Sequence, residues 1–201
     1  MNSEVKRPRR LIVCITGMPG AGKSTIAASL KEKGFSVIAM GDLIREEARQ
    51  QKLDPTDANL GKLMLRLRDE FGPGAIAHLI LRKINRKDVN LNNRSIDNIV
   101  VDGIRGIAEV EILKTAGCVK LLAIHASTSK RFKHLKQRGR SDDPSVIAEF
   151  ATRDKRELAV GISEAIALAD ETLSNNDLTV DQLKEKGYKI IEKWINSTHD
   201  K

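Results

Sequence analysis

The chain has 201 residues, 35 of them Lys or Arg against 27 Asp or Glu for a formal charge of +8, with 40% hydrophobic and 3% aromatic residues. That length suits one well-buried unit, and so few aromatics exclude the base-stacking surface of RNA-recognition and OB modules. The positive balance asks for an anionic partner, which the phosphates of a small nucleotide satisfy as well as nucleic acid does, while no apolar run approaches membrane-spanning length, so a cytoplasmic protein with no membrane partner is expected.

Residues 1–10 read as a disordered basic tail. Its cluster Lys6-Arg7-Pro8-Arg9-Arg10 is either a solvated terminus or a contact for nucleic acid or another anionic surface. Residues 11–201 read as a single domain. Its first strand, Leu11–Thr16, is apolar and largely β-branched, as expected of a strand buried on both faces of a parallel sheet. Next comes Gly17-Met18-Pro19-Gly20-Ala21-Gly22-Lys23-Ser24-Thr25, which satisfies the phosphate-binding pattern G-x-x-x-x-G-K-[ST]. A chance match arises in very roughly one chain in a hundred of this length, and a strand before it with a helix after it cut that further. The glycines let backbone N–H groups converge on an anion, and the following helix N-terminus adds its positive dipole end. Lys23 is expected to reach the β- and γ-phosphates and the Ser24 hydroxyl to ligate Mg²⁺. A nucleoside triphosphate with Mg²⁺ is therefore the expected ligand, and the loop leaves ATP and GTP both open.

The first helix is expected from Gly22 to about Lys33, closed by Gly34, and a second strand at Ser36–Met40. After it, Met40-Gly41-Asp42-Leu43-Ile44-Arg45 starts a long excursion, 41–98, read as a helical flap over the strands' carboxyl edge. Its helices are expected at Asp42–Gln51, Ala58–Phe71 and Gly74–Lys87, with a polar loop at 88–94. Asp42 either caps its helix or helps hold a phosphoryl acceptor, and Arg45 is either a solvated helix residue or part of the same acceptor site. A third strand, Ile99–Asp102, leads into Gly103-Ile104-Arg105, and Asp102 is expected to contact Mg²⁺ at the catalytic edge rather than merely start a turn.

A fourth strand, Lys120–His125, precedes a second excursion, 128–158, read as a lid. The basic helix Ser129–Arg138 is followed by Gly139-Arg140-Ser141-Asp142-Asp143-Pro144, where Asp143 as N-cap and Pro144 at the first helical position predict a helix running to about Glu157. Among Arg131, Arg138, Arg140, Arg153 and Arg156, the pair flanking Gly139, Arg138 and Arg140, is expected to steady the transferred phosphoryl group, and Arg153 can instead pair with Glu149. A weak strand, Glu171–Ser174, and a helix, Val180–Ile195, with Leu183, Tyr188, Ile191 and Trp194 toward the core, complete the alternation. Cys14 and Cys118, both in apolar runs, read as buried reduced thiols. His78, His125, His134 and His199 show no metal-ligand spacing. The alternation predicts a three-layer α/β/α fold with a five-stranded parallel sheet.

GMPGAGKST, MGDLIRE, VVDGIRG, LKQRGRSDDP and IALADETLSNN together resemble the nucleoside monophosphate kinase-like P-loop kinases from Leu11 onward. MGDLIR is similar to the acceptor-binding segment of adenylate kinases and DGIRG to their Asp-Gly-Phe-Pro-Arg, which implies an acceptor phosphate held by Arg45 and Arg105, with Asp42 beside it. Arg140-Ser141-Asp142-Asp143 resembles half of the adenylate-kinase lid, and Ala169–Asn175 is closer to dephospho-coenzyme A kinases. His134 stands where an adenine-stacking arginine is expected in the relatives. In overall pattern the chain resembles a mainly archaeal family of small P-loop kinases. The resemblance implies transfer of the ATP γ-phosphoryl group to a small, nucleotide-like phosphorylated acceptor. An ATPase switch acting with RNA or a ribonucleoprotein and a non-enzymatic nucleotide-binding regulator are the two alternatives.

Overall fold

The computed structural model describes residues 10–90 and 98–199. The tail expected before Arg10, and the 91–94 part of the expected polar loop, lie outside the described residues. The apolar run at Leu11–Thr16 forms β1, buried along its whole length because both of its faces are covered. Ile12 and Cys14 join one core cluster, and Leu11, Val13 and Ile15 join the other. Around it lie β2 (Ser36–Ala39), β3 (Ile99–Ile104), β4 (Cys118–His125) and β5 (Glu171–Ser174), all parallel, in the order β2-β3-β1-β4-β5. Cys14 stands beside Val101 of β3 and Leu121 of β4, so the central strand is registered on both sides.

One face is covered by α1 (Lys23–Glu32) and α9 (Val180–His199), which contribute Ile26, Leu30, Leu183, Ile191 and Trp194. The other carries α2 (Met40–Gln50), α3 (Asp57–Phe71), α4 (Ala75–Asn90), α5 (Ile107–Leu113) and α8 (Ile162–Ala167), through Ile44, Leu63, Ile80, Val110 and Ala165 among others. Two further helices, α6 (Thr128–Arg138) and α7 (Ile147–Ala159), follow β4. This is the expected three-layer α/β/α arrangement. No helix among the described residues is long and apolar enough to cross a membrane.

The strand and helix expectations meet three corrections. Two short helices, α5 and α8, were not expected at all. The expected start of α7 at Asp143-Pro144 is displaced to Ile147. Asp143 does not cap it, because its carboxylate accepts from Arg138 Nε at 2.8 Å and from the Arg140 N–H at 3.0 Å. The cap comes instead from Glu149, which accepts from the Ser145 N–H at 2.8 Å and the Ser145 hydroxyl at 3.0 Å. Glu149 is thereby not the partner of Arg153. Met40, expected to end the second strand, opens α2, and Asp42 sits in that helix's first turn without capping it. Cys14 is buried as expected, but Cys118, near the start of β4, is only half-buried.

One ion pair fixes the end of β3. Glu109 of α5 is fully buried, and its carboxylate accepts from Arg68 Nη2 at 2.5 Å, from the Arg105 N–H at 2.8 Å and from the Gly106 N–H at 3.3 Å. Removing it strands a guanidinium that is only 10% exposed together with two backbone donors. Glu109→Ala is therefore expected to lower unfolding free energy by about 3 kcal/mol in denaturant titrations. Glu109→Gln, which keeps an acceptor oxygen, should lose clearly less.

Candidate active site

Parallel strands deliver the turns after β1 and β3 to one edge of the sheet, and there a cleft of about 600 Å³ opens. Its floor is the glycine loop between β1 and α1. Gly17 has φ +136° and its absent Cβ would lie 2.2 Å from the Ile124 carbonyl oxygen. Gly20 has φ +82°, with the Arg131 carbonyl oxygen 2.5 Å from the same position. Both neighbours are backbone, so neither site admits a side chain, and the loop is clamped between β4 and α6. Arg131 reinforces the clamp: it is 5% exposed, donates to the Pro19 carbonyl at 3.2 Å and makes a bidentate pair with Asp154 of α7 at 2.8 and 2.6 Å. His134 Nδ1 lies 2.9 Å from the Gly20 carbonyl oxygen.

Of the nine loop residues expected to contact nucleotide, Gly17, Pro19, Gly20, Gly22, Lys23, Ser24 and Thr25 line the cleft. Met18 and Ala21 do not. Ala21 is packed in the α1–α9 core, and its carbonyl accepts from Asn175 Nδ2 at 2.9 Å. Lys23 donates to the Gly17 carbonyl at 2.6 Å and to the Met18 carbonyl at 3.2 Å. Burial pushes its amine down from the ordinary 10.5 to about 8, with Asp102 the strongest charge working the other way.

Asp102 stands in β3 directly beside Ile15 of β1. Burial raises its carboxyl above the ordinary range against the pull of Lys23, Arg105 and Arg140, and its Oδ1 is buried without a hydrogen-bond partner. Among the described residues no group of three or more His, Cys, Asp or Glu is placed to hold a metal ion. An orphaned carboxylate oxygen in the same cleft as the Ser24 hydroxyl nonetheless suits Mg²⁺, which keeps most of its waters and takes only one or two protein oxygens beside substrate phosphates.

The expected acceptor residues Asp42, Arg45 and Arg105 line the same cleft, as do Arg138 and Arg140. Most of these guanidiniums already hold carboxylates. Arg45 donates to Asp42 at 2.7 Å and to Asp142 at 2.9 Å. Arg105 Nε donates to Glu157 of α7 at 2.6 Å. Burial works against the Glu157 carboxylate, yet Arg105, with Arg153 and Lys23, holds it below its ordinary range. Arg138 pairs with Asp143. Arg140 lines the cleft with an exposed side chain.

Sequence reading missed four contributors to this region. Glu157, Asp142 and Asn175 are buried polar residues tied to expected site residues. Arg153 was counted among the arginines but not assigned to the site; it is 8% exposed and donates to the Asp142 carbonyl at 2.8 Å. Only the Asp142-Asp143 repeat in a basic stretch hinted at such pairing. Glu157 and Asn175 are 52 and 154 residues distant in sequence from their partners.

A family model described as an AAA domain matches residues 16–182. A UPF0200 protein of Pyrococcus abyssi is 40% identical over 192 residues, covering 94% of this chain and 100% of the relative. Among solved structures, a Thermus thermophilus protein superposes with a TM-score of 0.55 at 17% identity, over 92% of this chain and 98% of that one. The shikimate kinase of Acinetobacter baumannii, solved with shikimate, gives 0.54 at 15% identity over 94% of each chain. The fold is that of the P-loop kinases, and by the extent and identity of these matches the chain belongs to the UPF0200 family.

Proposed function

We propose that the protein is a phosphotransferase that moves the γ-phosphoryl group of ATP to a small acceptor. The observation that carries this reading is the glycine loop itself, clamped by β4 and α6, with the Lys23 ammonium on its carbonyls and the orphaned Asp102 oxygen in the same cleft. Without phosphate, Lys23 takes the Gly17 and Met18 carbonyls as partners; a β- or γ-phosphate would be a stronger one. Backbone N–H groups of the loop and the N-terminus of α1 would receive the β-phosphate. Ser24 and Asp102 are the residues that would hold Mg²⁺, which when bound would neutralise charge on the β- and γ-oxygens.

Arg138 and Arg140, which line the cleft from the end of α6 and the loop after it, are assigned to the γ-phosphoryl group. Arginines there suit the charge that spreads over the three equatorial oxygens during transfer. Asp42, Arg45 and Arg105 are assigned to the acceptor side. Pairings tie α7 and its preceding loop to α2, α3 and the turn after β3, so that a wall stands on this side against which an acceptor can be positioned for transfer. That feature favours a kinase over an ATPase switch.

The first test is direct. Lys23→Met should keep the far-ultraviolet circular dichroism of the wild type but lower turnover by about two to three orders of magnitude. Equal ATP·Mg²⁺ affinity of variant and wild type in calorimetry would reject the site.

The second test uses pH. Phosphate binding needs the Lys23 ammonium, so bound nucleotide raises a pKa that stands near 8 in the free protein. ATP affinity should accordingly be full below pH 8 and fall as pH rises through 8 to 10, with proton uptake on binding at pH 9. Lys23→Met should flatten that profile. The free protein behaves in the opposite sense: because its folded pKa lies below the ordinary 10.5, this group adds stability as pH climbs from 8 toward 10.5.

A further inference from the structure

Next to the acceptor side of the cleft lies a second, smaller cavity of about 50 Å³. It shares Gly41, Arg45, Arg105, Arg153 and Glu157 with the main cleft, so the two are adjoining. Three polar atoms of its wall residues are buried without a hydrogen-bond partner: Asp142 Oδ1, Arg156 Nε, and Arg153 Nε, which makes an ion pair with Asp57 Oδ1 at 3.5 Å. One is an acceptor and two are donors. Native interiors seldom leave such atoms unpaired, and the space exceeds the ~10–15 Å³ that a single water oxygen requires. Gly61 of α3 lets Arg156, part of the cavity wall, pack against that helix, since a Cβ there would lie 2.7 Å from Arg156 Nη1 and 2.9 Å from Arg156 Nε.

Four arginines, Arg45, Arg105, Arg153 and Arg156, surround this space with three carboxylates, Asp57, Asp142 and Glu157, and each carboxylate is paired. Arg156 makes a bidentate pair with Asp57 at 2.9 and 2.7 Å, and Arg153 lies 3.5 Å from the same carboxylate. Arg45 and Arg105 hold Asp142 and Glu157, whose side chains are only 6% and 3% exposed. A phosphate bound by Arg45 or Arg105 would displace one of these carboxylates into unpaired burial or lie against it, and either is unfavourable. A hydroxyl donates and accepts at once, adds no charge, and can satisfy Asp142 Oδ1 together with an arginine Nε–H.

From this juxtaposition we infer that the acceptor is a polyhydroxylated compound bearing no phosphate, of the sugar, polyol or cyclitol class, one hydroxyl of which enters the second cavity. The inference rests on the kinase reading above. In the reaction, a second hydroxyl oxygen of the acceptor forms the new bond to the γ-phosphorus. The bond from that phosphorus to the bridging oxygen breaks, its electron pair leaves with ADP, and the hydroxyl proton passes to water. Arg45 and Arg105 then serve to hold the recognising carboxylates, not an acceptor phosphate. A site built to pair a hydroxyl discriminates strongly against compounds lacking it.

Coupled ADP-release assays with the full chain and ATP·Mg²⁺ test this on two groups of acceptors. One holds hexoses, alditols and cyclitols; the other holds nucleoside monophosphates and sugar phosphates. At least one phosphate-free compound should raise ADP release about tenfold or more above hydrolysis, and the phosphorylated group should not. Di(adenosine) pentaphosphate should bind no more tightly than ATP in calorimetry. Gly61→Ala should raise KM for the active acceptor about tenfold while leaving KM for ATP unchanged. Asp142→Asn, of the same size, should do likewise if the glycine variant folds poorly. Phosphorylation of a nucleoside monophosphate, tighter binding of the pentaphosphate than of ATP, unchanged acceptor KM in both variants, or silence of the whole phosphate-free group while ATP binds would each overturn the inference. Failure of ATP to bind would bring down the kinase reading itself.

Discussion

The ammonium of Lys23 lies among carbonyl oxygens at the carboxyl ends of the central strands, and much of the molecule is arranged to tolerate a cation there. A fixed positive charge with little water around it needs opposing dipoles and charge, which the Gly17 and Met18 carbonyls and Asp102 supply. Those partners are in place because β1 lies between β3 and β4, parallel to both, with its whole length buried. The glycine turn after β1 then runs so close to β4 that a Cβ on Gly17 would lie 2.2 Å from the Ile124 carbonyl oxygen, so its shape follows from the sheet. Burial also keeps the cation incompletely satisfied, with its pKa drawn down to about 8. A polyanion brought to that position relieves a cost the fold has already incurred.

A second set of charges organises the opposite wall. Arg45, Arg105, Arg153 and Arg156 alternate with Asp142, Glu157 and Asp57, joining α7 and its preceding loop to α2, the turn after β3 and the N-terminus of α3. Pairs this poorly exposed contribute little net stability, since desolvation offsets most of their attraction. Their geometric demand is strict, however, because losing either partner leaves a buried charge. Such a network specifies the shape and polarity of the acceptor wall more than it strengthens the fold. Glu109 plays the same role one layer deeper, holding the backbone of Arg105 and Gly106.

What was legible in the sequence divides by range. The five strands and most helices were readable because their signals are local: the run Leu11–Thr16, the loop Gly17–Thr25, and the apolar stripe Leu183, Ile191 and Trp194. The resemblance to P-loop kinases rested on the same local runs and agrees with the UPF0200 relatives. Elements decided by distant partners were misread. Asp143-Pro144 carries a strong helix-start signal, yet Arg138 takes the Asp143 carboxylate and the helix begins at Ile147. Glu157 is an ordinary helix residue in sequence and becomes a buried site carboxylate only because Arg105, 52 positions away, reaches it. The arginines were visible as residues, but whether each faced a ligand or a carboxylate was not.

The central claim is that Lys23 leaves its carbonyl partners for a nucleotide triphosphate held by the glycine loop. A crystal structure of the full chain with Mg²⁺ and the β,γ-imido analogue of ATP tests it most directly. The account predicts the triphosphate cradled by Gly17–Thr25, with Lys23 Nζ moved from the Gly17 and Met18 carbonyls onto the β- and γ-phosphates. A nucleotide bound elsewhere, or one in the loop with Lys23 still on those carbonyls, would contradict it.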